Sequence, residues 1–501
     1  MLRGARHKGR TLHNVTARRA SCAAMLGRRG ERHCLPIMTD VAEPLAPGAP
    51  DVPPAQTPRA EAWAMLRLAG PVIVARAGLV VMLTVDTFMT GLAGSGEIAK
   101  LGLGLSPVMV FMLATVGLLQ GSMVLIAQAN GARDYARCGQ VWRVALIHAA
   151  VLGSTFALIG FVAEDIFLAI GHDPALAQGA AAVTRQFAWG MPGVMLYVAT
   201  GYLLEGIGRP RAGMVIMLVA NVLNVFADGI FAAGWWSWVE PMGANGAVIT
   251  TSILRWGIFF AILGVVLSMK DRAKYGVTGA RTPFWPIARR LWKIGAPVAV
   301  TGACENGAYA VLAQMAGLIG GAALAAHQVT INVLTLAYMG ANGMAAATSV
   351  RVGNAVGRGD KRGIALSGWT GIVLGASQMT LASAGFLIYP REIGDLFLHG
   401  SAESLDIVAS TLTAAGIFIV FSGSMAVSMG ALRGAGDMAI VIVAYAIGYV
   451  LVGVTMAWVF AFKLNLGVPG LIYGLLTGIL IGLGVLLARF RVVARRGAVR
   501  V

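Results

Sequence analysis

The sequence predicts an all-α integral membrane protein with twelve transmembrane helices in two homologous six-helix bundles. Composition, a series of apolar runs and a duplicated sequence pattern together predict this fold class. Charged residues are 12% of the 501 residues and hydrophobic residues are 57%, whereas charged residues make up about 25% of an ordinary soluble domain. A water-soluble fold has too little interior for so many apolar side chains.

Twelve apolar runs predict the individual spans. Each is roughly 20 residues long, the length that crosses a hydrocarbon core of about 30 Å. The 66 glycines favour a packed helical bundle, because small residues let helix backbones approach each other in lipid. The runs lie at residues 68–91, 102–127, 144–163, 186–208, 213–234, 244–269, 294–319, 327–350, 364–389, 406–430, 438–461 and 468–488.

One sequence pattern occurs twice, and this repeat predicts two halves with the same arrangement of helices. The offset between copies is 226 residues over the first half of each copy and later differs from this value by two. Duplicated halves in a membrane protein usually enclose a central site, as in transporters. The matching segments are Gly91–Gly94 with Gly317–Gly320, Asn130–Asp134 with Val356–Asp360, Glu205–Gly208 with Arg433–Gly436, and Gly243–Gly246 with Gly467–Gly470.

The chain is therefore divided into five parts. Residues 1–60 hold ten Lys or Arg and then a Pro/Ala-rich stretch, a composition typical of disorder. They lack the apolar segment of a cleaved signal peptide, and Met38 is an alternative start of translation. The other predicted parts are the N-lobe with helices 1–6 (61–275), a cytoplasmic linker (276–290), the C-lobe with helices 7–12 (291–490) and a basic cytoplasmic tail (491–501).

Basic residues indicate how the chain crosses the membrane. The even-numbered connections and the C-terminal tail hold 22 Lys and Arg, whereas the odd-numbered connections hold four, namely Lys100, Arg185, Arg391 and Lys463. By the positive-inside rule both termini face the cytoplasm, and we expect a multi-pass protein of the inner cell membrane. The net charge of +17 then reflects topology rather than nucleic-acid binding.

Polar residues inside the N-lobe spans predict a site. A charge at mid-bilayer costs about 2.5–3.5 kcal/mol. The acids Asp86 and Asp228 are therefore candidates for functional residues. Asn221, Asn224 and Asp228 have i, i+3 and i+7 spacing, which puts them on one helix face. The depths of Asp86 and Asp228, and of Thr250 and Thr251 in the sixth span, allow one cluster.

Three interpretations of this cluster remain open. Its carboxylate, amide and hydroxyl oxygens suit a hard cation such as Na⁺. Alternatively, two nearby carboxyl groups in low dielectric hold a proton. A third interpretation is that the acids only bond neighbouring helices together.

In the C-lobe, Leu312 occupies the position equivalent to Asp86, and Glu305 is the lone acid of the seventh span. A carboxylate in a cavity there would attract an organic cation, although a hydrogen-bonded neutral glutamic acid is the alternative.

We expect Arg76 to reach the cytoplasmic headgroups. Arg255 has no predicted role beyond lining a cavity or pairing with an acid.

Four motifs give the chain a family resemblance over about residues 62–490. They are Pro71 followed by Val85-Asp86-Thr87 and Gly91, Ala325-Ala-His-Gln328 with Asn332, Val350-Arg-Val-Gly-Asn-Ala-Val-Gly357, and Gly430-Ala-Leu-Arg-Gly434. With these motifs the chain resembles the multidrug and toxic compound extrusion (MATE) transporters, in particular their NorM-like branch. The resemblance implies two six-helix lobes in a V, an outward-open cavity, and export of cationic or amphipathic drugs in exchange for Na⁺ or H⁺.

The resemblance also implies site residues. The cation-coupling set, which would be the metal ligands if the ion is Na⁺, matches Asp86, Asn224, Asp228 and Thr251, and the family's helix-7 glutamate matches Glu305. NorM-like proteins usually carry an aspartate where this chain has Ser422, so coupling through the N-lobe is favoured. We assign Glu305, Asn221 and Ser422 to substrate binding.

The expected function is multidrug efflux by antiport, without a catalytic residue or cofactor. The expected partners are small organic cations or amphipathic drugs, Na⁺ or H⁺ and the lipid bilayer, with no nucleic acid and a monomeric state. The seven histidines form no His-Glu-x-x-His pair, which argues against a membrane enzyme. The alternative is a flippase for lipid-linked precursors, which would be expected to line its cavity with several basic residues.

Overall fold

The computed structural model describes residues 57–236, 240–279, 282–395, 402–498 and 500. Within these ranges the chain is helical and contains no strand. The predicted disordered segment 1–60 lies outside the described residues except for its last four positions.

Twelve long helices confirm the predicted all-α membrane architecture. Eleven of them combine the length and hydropathy of a membrane span. The exception is α7, because its middle carries Glu305, Asn306 and several glycines. The helices are α1 (Pro58–Leu92), α2 (Ser95–Gly131), α3 (Tyr135–Ile159), α4 (Pro174–Gly206), α5 (Arg211–Phe231), α6 (Gly243–Ser268), α7 (Phe284–Ile319), α8 (Gly321–Gly357), α9 (Lys361–Ile388), α10 (Ala402–Gly434), α11 (Ala439–Lys463) and α12 (Gly467–Arg496).

Several helices extend beyond the predicted apolar runs. The connection between α6 and α7 covers residues 269–283, so the later part of the predicted linker 276–290 is helical. Likewise α12 continues to Arg496, inside the predicted tail 491–501. Hydropathy marks the hydrocarbon crossing, whereas a helix continues through polar residues into the interface as long as its backbone bonds are made.

Backbone geometry repeats with the sequence. Gly94 joins α1 to α2 with φ 130°, and Gly320 joins α7 to α8 with φ 152°. Past the ends of α4 and α10, Gly208 and Gly436 both have φ 79°. Glycine tolerates these positive angles, which cost other residues steric strain, so the two halves share their turns as well as their helices.

Each half forms a lobe around one central helix. In the N-lobe, α4 packs against α2, α3 and α6; in the C-lobe, α10 packs against α8, α9 and α12. The contacts between lobes are reciprocal, since α2 meets α7 while α8 meets α1.

The lobes meet at the end of the molecule that holds the start of α1 and the end of α12, here called the closed end. A Cβ atom at Gly121 of α2 would lie 2.6 Å from the carbonyl oxygen of Leu291 in α7. Gln128 donates to the carbonyl of Gly434 (3.1 Å), and Asn130 donates to Asn354 (3.3 Å). The lack of a side chain at Gly121 lets the two lobes approach each other at this end.

We expect Gly121→Ala to lower stability, because the added methyl group meets the backbone of α7. Overpacking of this kind costs about 1–3 kcal/mol. The matched control is Gly102→Ala in the same helix, where a Cβ would meet no atom within 4 Å. Thermal unfolding of the purified proteins in detergent measures both changes, and equal midpoints would contradict close packing at Gly121.

Candidate functional site

The first site lies in the N-lobe where α1, α5 and α6 meet. Gly78 allows α1 to approach α5, since a Cβ there would lie 2.9 Å from Nδ2 of Asn221. Asp86 of α1, Asn224 and Asp228 of α5, and Thr251 of α6 are completely buried. The structure thus brings together the four residues assigned to cation coupling.

Asn224 is the centre of this N-lobe cluster. Its Nδ2 donates to Oδ1 of Asp86 (3.1 Å) and to Oδ2 of Asp228 (2.9 Å). It also lies 3.2 Å from Oγ1 of Thr251, which donates to Oδ1 of Asp86 (2.7 Å). One amide group therefore bridges two carboxyl groups that would otherwise repel each other in a low-dielectric interior.

Threonine hydroxyls complete the cluster. Thr250, which the sequence analysis placed at the depth of the cluster, donates to Oδ1 of Asp228 and also contacts the carbonyl of Ala247 (2.8 Å). Two oxygens remain: Oδ2 of Asp86 and Oδ1 of Asn224 are buried and have no hydrogen-bond partner in the described part of the chain. The cluster thus has unused oxygen ligands for a cation.

Arg255 lies one helical turn beyond Thr251 and is 2% exposed. Its guanidinium carbon lies 3.7 Å from the ring centroid of Phe187. It interacts electrostatically with Asp86, although the structure records no ion pair between them. The sequence analysis predicts for this residue no role beyond lining a cavity or pairing with an acid.

Asn221 shares the helix face with Asn224 but lies outside the hydrogen-bonded cluster. Its Nδ2 bonds the carbonyl of Met217 in the preceding turn (2.8 Å). The side chain is partly buried against α1 near Gly78.

A second polar site lies in the C-lobe around Glu305, which is partly buried. Tyr449 of α11 donates to Oε1 of Glu305 (3.2 Å), and Tyr338 of α8 also bonds this carboxyl group. The ring of Tyr449 stacks on Tyr445 at 5.3 Å and meets the edge of Tyr309 at 6.2 Å. Four tyrosines therefore surround the acid of α7.

Ser422 lies beside this tyrosine set. It lines a cavity of about 40 Å³ together with Tyr309 and Tyr338. Such a volume holds a water molecule but is far below the roughly 300–1,000 Å³ of a drug-binding pocket. In this conformation the C-lobe site therefore presents polar groups without enclosing a large ligand.

The tyrosines were not predicted, because tyrosine in an apolar helix is a common core residue. The local structure of α11 carries a further signal. Residues Ala446–Val454 form a π-helix that includes Tyr449, and π-helical segments often occur at functional sites. Sequence periodicity does not reveal such a segment.

Charged residues also meet at the closed end. Arg76 pairs with Glu205 (3.3 Å) and donates to the carbonyl of Asn342 in the other lobe (3.2 Å). The expectation that Arg76 reaches the headgroups was therefore wrong, because a carboxylate partner lies within the protein. Arg433 of α10 is 2% exposed, donates to Gln120 of α2 and interacts electrostatically with Glu205.

The family motif at residues 350–357 lies at this closed end as well. Arg351 forms an ion pair with Glu61 of α1. Ser367 of α9 donates to the same carboxylate (2.6 Å). A Cβ at Gly357 would collide with the carbonyl oxygen of Gln128. The motif therefore joins the lobes.

Comparison with known proteins agrees with this architecture. The family model MatE matches residues 71–230 and 297–459. The two matched segments begin 226 residues apart, at Pro71 and Pro297, which is the offset of the internal repeat. Each lobe thus contains one copy of the family's module.

Named relatives cover nearly the whole chain. "Probable multidrug resistance protein NorM" of Bradyrhizobium diazoefficiens is 30% identical over 435 residues, which is 86% of this chain and 93% of the relative. "Multidrug resistance protein NorM" of Burkholderia vietnamiensis is 29% identical and covers 82% of this chain and 90% of the relative.

Solved structures share the fold. A multidrug resistance MATE family transporter of the MOP superfamily in an outward-facing conformation has a TM-score of 0.81 at 21% identity and covers 88% of this chain and 97% of its own. The eukaryotic MATE transporter AtDTX14 has a TM-score of 0.78 at 19% identity and covers 87% and 98%. From the family match, the NorM relatives and the fold, this multi-pass membrane protein belongs to the MATE family and resembles its NorM-like members.

Proposed function

We propose that this protein is a multidrug efflux antiporter of the inner cell membrane. It exports cationic or amphipathic organic compounds in exchange for Na⁺ or H⁺ by alternating access. The observation that carries this proposal is the buried N-lobe cluster in which one amide bridges Asp86 and Asp228. Intramembrane acids of this kind are costly and usually mark an ion pathway.

The N-lobe cluster supports coupling through a change at Asn224. In the described geometry its NH₂ group donates to both carboxyl groups and so occupies the position between them that a cation would take. Rotation of the amide would instead direct Oδ1 toward the same position, where a cation needs oxygen ligands. Asn224 then stabilises both the cation-free and the cation-bound cluster.

The C-lobe site supports selection of the exported compound. Glu305 supplies a negative charge and the neighbouring tyrosine rings supply faces that attract organic cations. Ser422 stands where NorM-like proteins usually carry an aspartate. The groups that act most strongly on the Glu305 carboxyl group are Tyr338 and Tyr449, and no second carboxyl group is among them. We therefore assign substrate selection to the C-lobe and ion coupling to the N-lobe.

The closed end supports alternating access. The charge distribution among the loops favours a cytoplasmic position for both termini, and thus for this end. The lobes meet there through the hydrogen bonds of Gln128 and Asn130 and the ion pair of Arg351 with Glu61. Export requires that these contacts break and that the opposite ends of the lobes approach each other.

The decisive experiment is reconstitution in proteoliposomes with ethidium, a fluorescent organic cation. Na⁺ and pH gradients are imposed separately, and empty liposomes provide the background. Export driven by one gradient identifies the coupling ion, whereas export that follows neither gradient contradicts antiport. Translocation of a lipid-linked precursor without ethidium export would favour the flippase alternative.

Asp86→Asn and Asp228→Asn are each expected to reduce gradient-driven export to the background of empty liposomes. Removal of either charge leaves the cluster unable to exchange a cation, while the neutral amide keeps the shape of the side chain. Asp406→Asn is the control, because Asp406 is an exposed acid paired with Arg391 on the surface. Normal export by the Asp86→Asn protein would refute the proposed coupling site.

Asn224→Ala distinguishes coupling from a purely structural cluster. Loss of the bridging amide leaves two buried acids without their shared donor, which we expect to cost about 1–3 kcal/mol of stability. Asp86→Asn should recover this loss in the double variant, because one charge is then removed. Thr155→Ala is the control, because Thr155 is exposed on α3 and bonds the carbonyl of Val151 in its own helix.

Thermal unfolding and export per folded molecule are measured for the Asn224 series. If the cluster were only structural, Asn224→Ala would unfold at lower temperature yet export normally. Coupling through the cluster predicts that export stays lost in the stabilised double variant.

Glu305→Gln is expected to weaken apparent affinity for cationic substrates by about 1–3 kcal/mol, as for loss of a charge-assisted contact. Neutral substrates should still follow the same ion gradient. Tyr449→Phe keeps the carboxylate and removes one hydrogen bond, so it serves as the control. Equal loss of neutral and cationic export in Glu305→Gln would place Glu305 in the coupling step instead.

A further inference from the structure

We propose that Arg255 is a built-in counter-ion that leaves the N-lobe cluster with one net negative charge, so that the cluster takes one monovalent cation per transport cycle and excludes divalent cations. This inference rests on the proposed coupling role of Asp86 and Asp228. It specifies how many cations the cluster binds in each transport cycle and what charge each cation carries.

The first support is that Arg255 is buried with incomplete hydrogen bonding. It is 2% exposed, and its Nε and Nη1 atoms have no hydrogen-bond partner within the described ranges of the chain. A buried donor without a partner is destabilising, and more so when it is charged. A packing role alone would be served at lower cost by an apolar side chain.

The second support is that the surrounding helices hold Arg255 in place. Its guanidinium stacks on Phe187 of α4, with 3.7 Å to the ring centroid. Glycines let α4 approach α6, since a Cβ at Gly193 would lie 3.1 Å from the carbonyl carbon of Arg255. Ser252 donates to the carbonyl of Gln186 across the same contact (2.9 Å). The charge is therefore fixed near the cluster rather than drawn to the headgroups.

The third support is the balance of charge. The charged groups that act most strongly on Asp86 are Asp228 and Arg255. With both carboxyl groups ionised, two carboxylates and one guanidinium sum to a single negative charge. One Na⁺ or one proton neutralises this sum, whereas a divalent cation would leave a buried positive charge, which is costly in low dielectric.

A consequence follows for the transport cycle. If one monovalent cation enters for each monovalent drug that leaves, no net charge crosses the membrane. Removal of the guanidinium gives a cluster with two negative charges, which takes up a second monovalent cation. Exchange for the same drug then becomes electrogenic.

The test compares the unchanged protein with Arg255→Gln and Arg255→Lys in proteoliposomes under an imposed membrane potential. The readout is the steady-state gradient of ethidium, which carries one positive charge. We expect the unchanged protein and Arg255→Lys to show no dependence on potential. For Arg255→Gln we expect about a tenfold change in the drug gradient per 59 mV, which corresponds to one additional charge per cycle. The same response in all three proteins would overturn the proposal.

A second measurement needs no transport and therefore separates this proposal from the proposed antiport. Thermal unfolding in detergent is followed as Ca²⁺ is added. Ca²⁺ should stabilise Arg255→Gln but neither the unchanged protein nor Arg255→Lys. The double variant Asp228→Asn with Arg255→Gln restores one net negative charge and should lose the Ca²⁺ response. An equal response to Ca²⁺ with and without the guanidinium would show that Arg255 does not set the charge of the cluster.

Discussion

The cost of burying charge within a lipid bilayer governs the rest of this structure. Three sets of ionic groups in the described residues have partners of particular kinds: an amide bridges Asp86 and Asp228, a ring face covers Arg255, and Arg76 pairs with Glu205. Each set joins at least two helices, so these charges also fix how the helices pack. The proposed coupling role depends on the same constraint, because a buried charge that is only partly compensated favours the binding of a cation.

The two lobes share a plan but differ in chemistry. The N-lobe holds two acids bridged by Asn224, whereas the C-lobe holds one acid bonded by tyrosines. Leu312, at the position equivalent to Asp86, is fully buried in the apolar core. The common helices and turns therefore supply the scaffold, and a few substitutions give each lobe its own set of buried polar groups.

Sequence reasoning could predict the fold and much of the N-lobe cluster, because both depend on signals carried by single residues. An apolar run of the right length predicts a span, and an acid within a span stands out. The same reasoning could not predict the tyrosines around Glu305 or the π-helix that carries Tyr449, since apolar helices often contain tyrosine. It also misplaced Arg76, because its partner Glu205 is distant in sequence and only the tertiary structure brings the two side chains together.

The charges at the closed end carry a consequence for how such a chain arose. Glu205 and Arg433 occupy equivalent positions of the two repeats, yet one is an acid and the other a base that interact with each other. An ancestral dimer of identical halves would have placed like charges at these positions, in mutual repulsion. Attraction between them became available only after the gene was duplicated and the two copies mutated independently. Divergence of the copies thus allowed an attraction between equivalent positions that no symmetric homodimer can make.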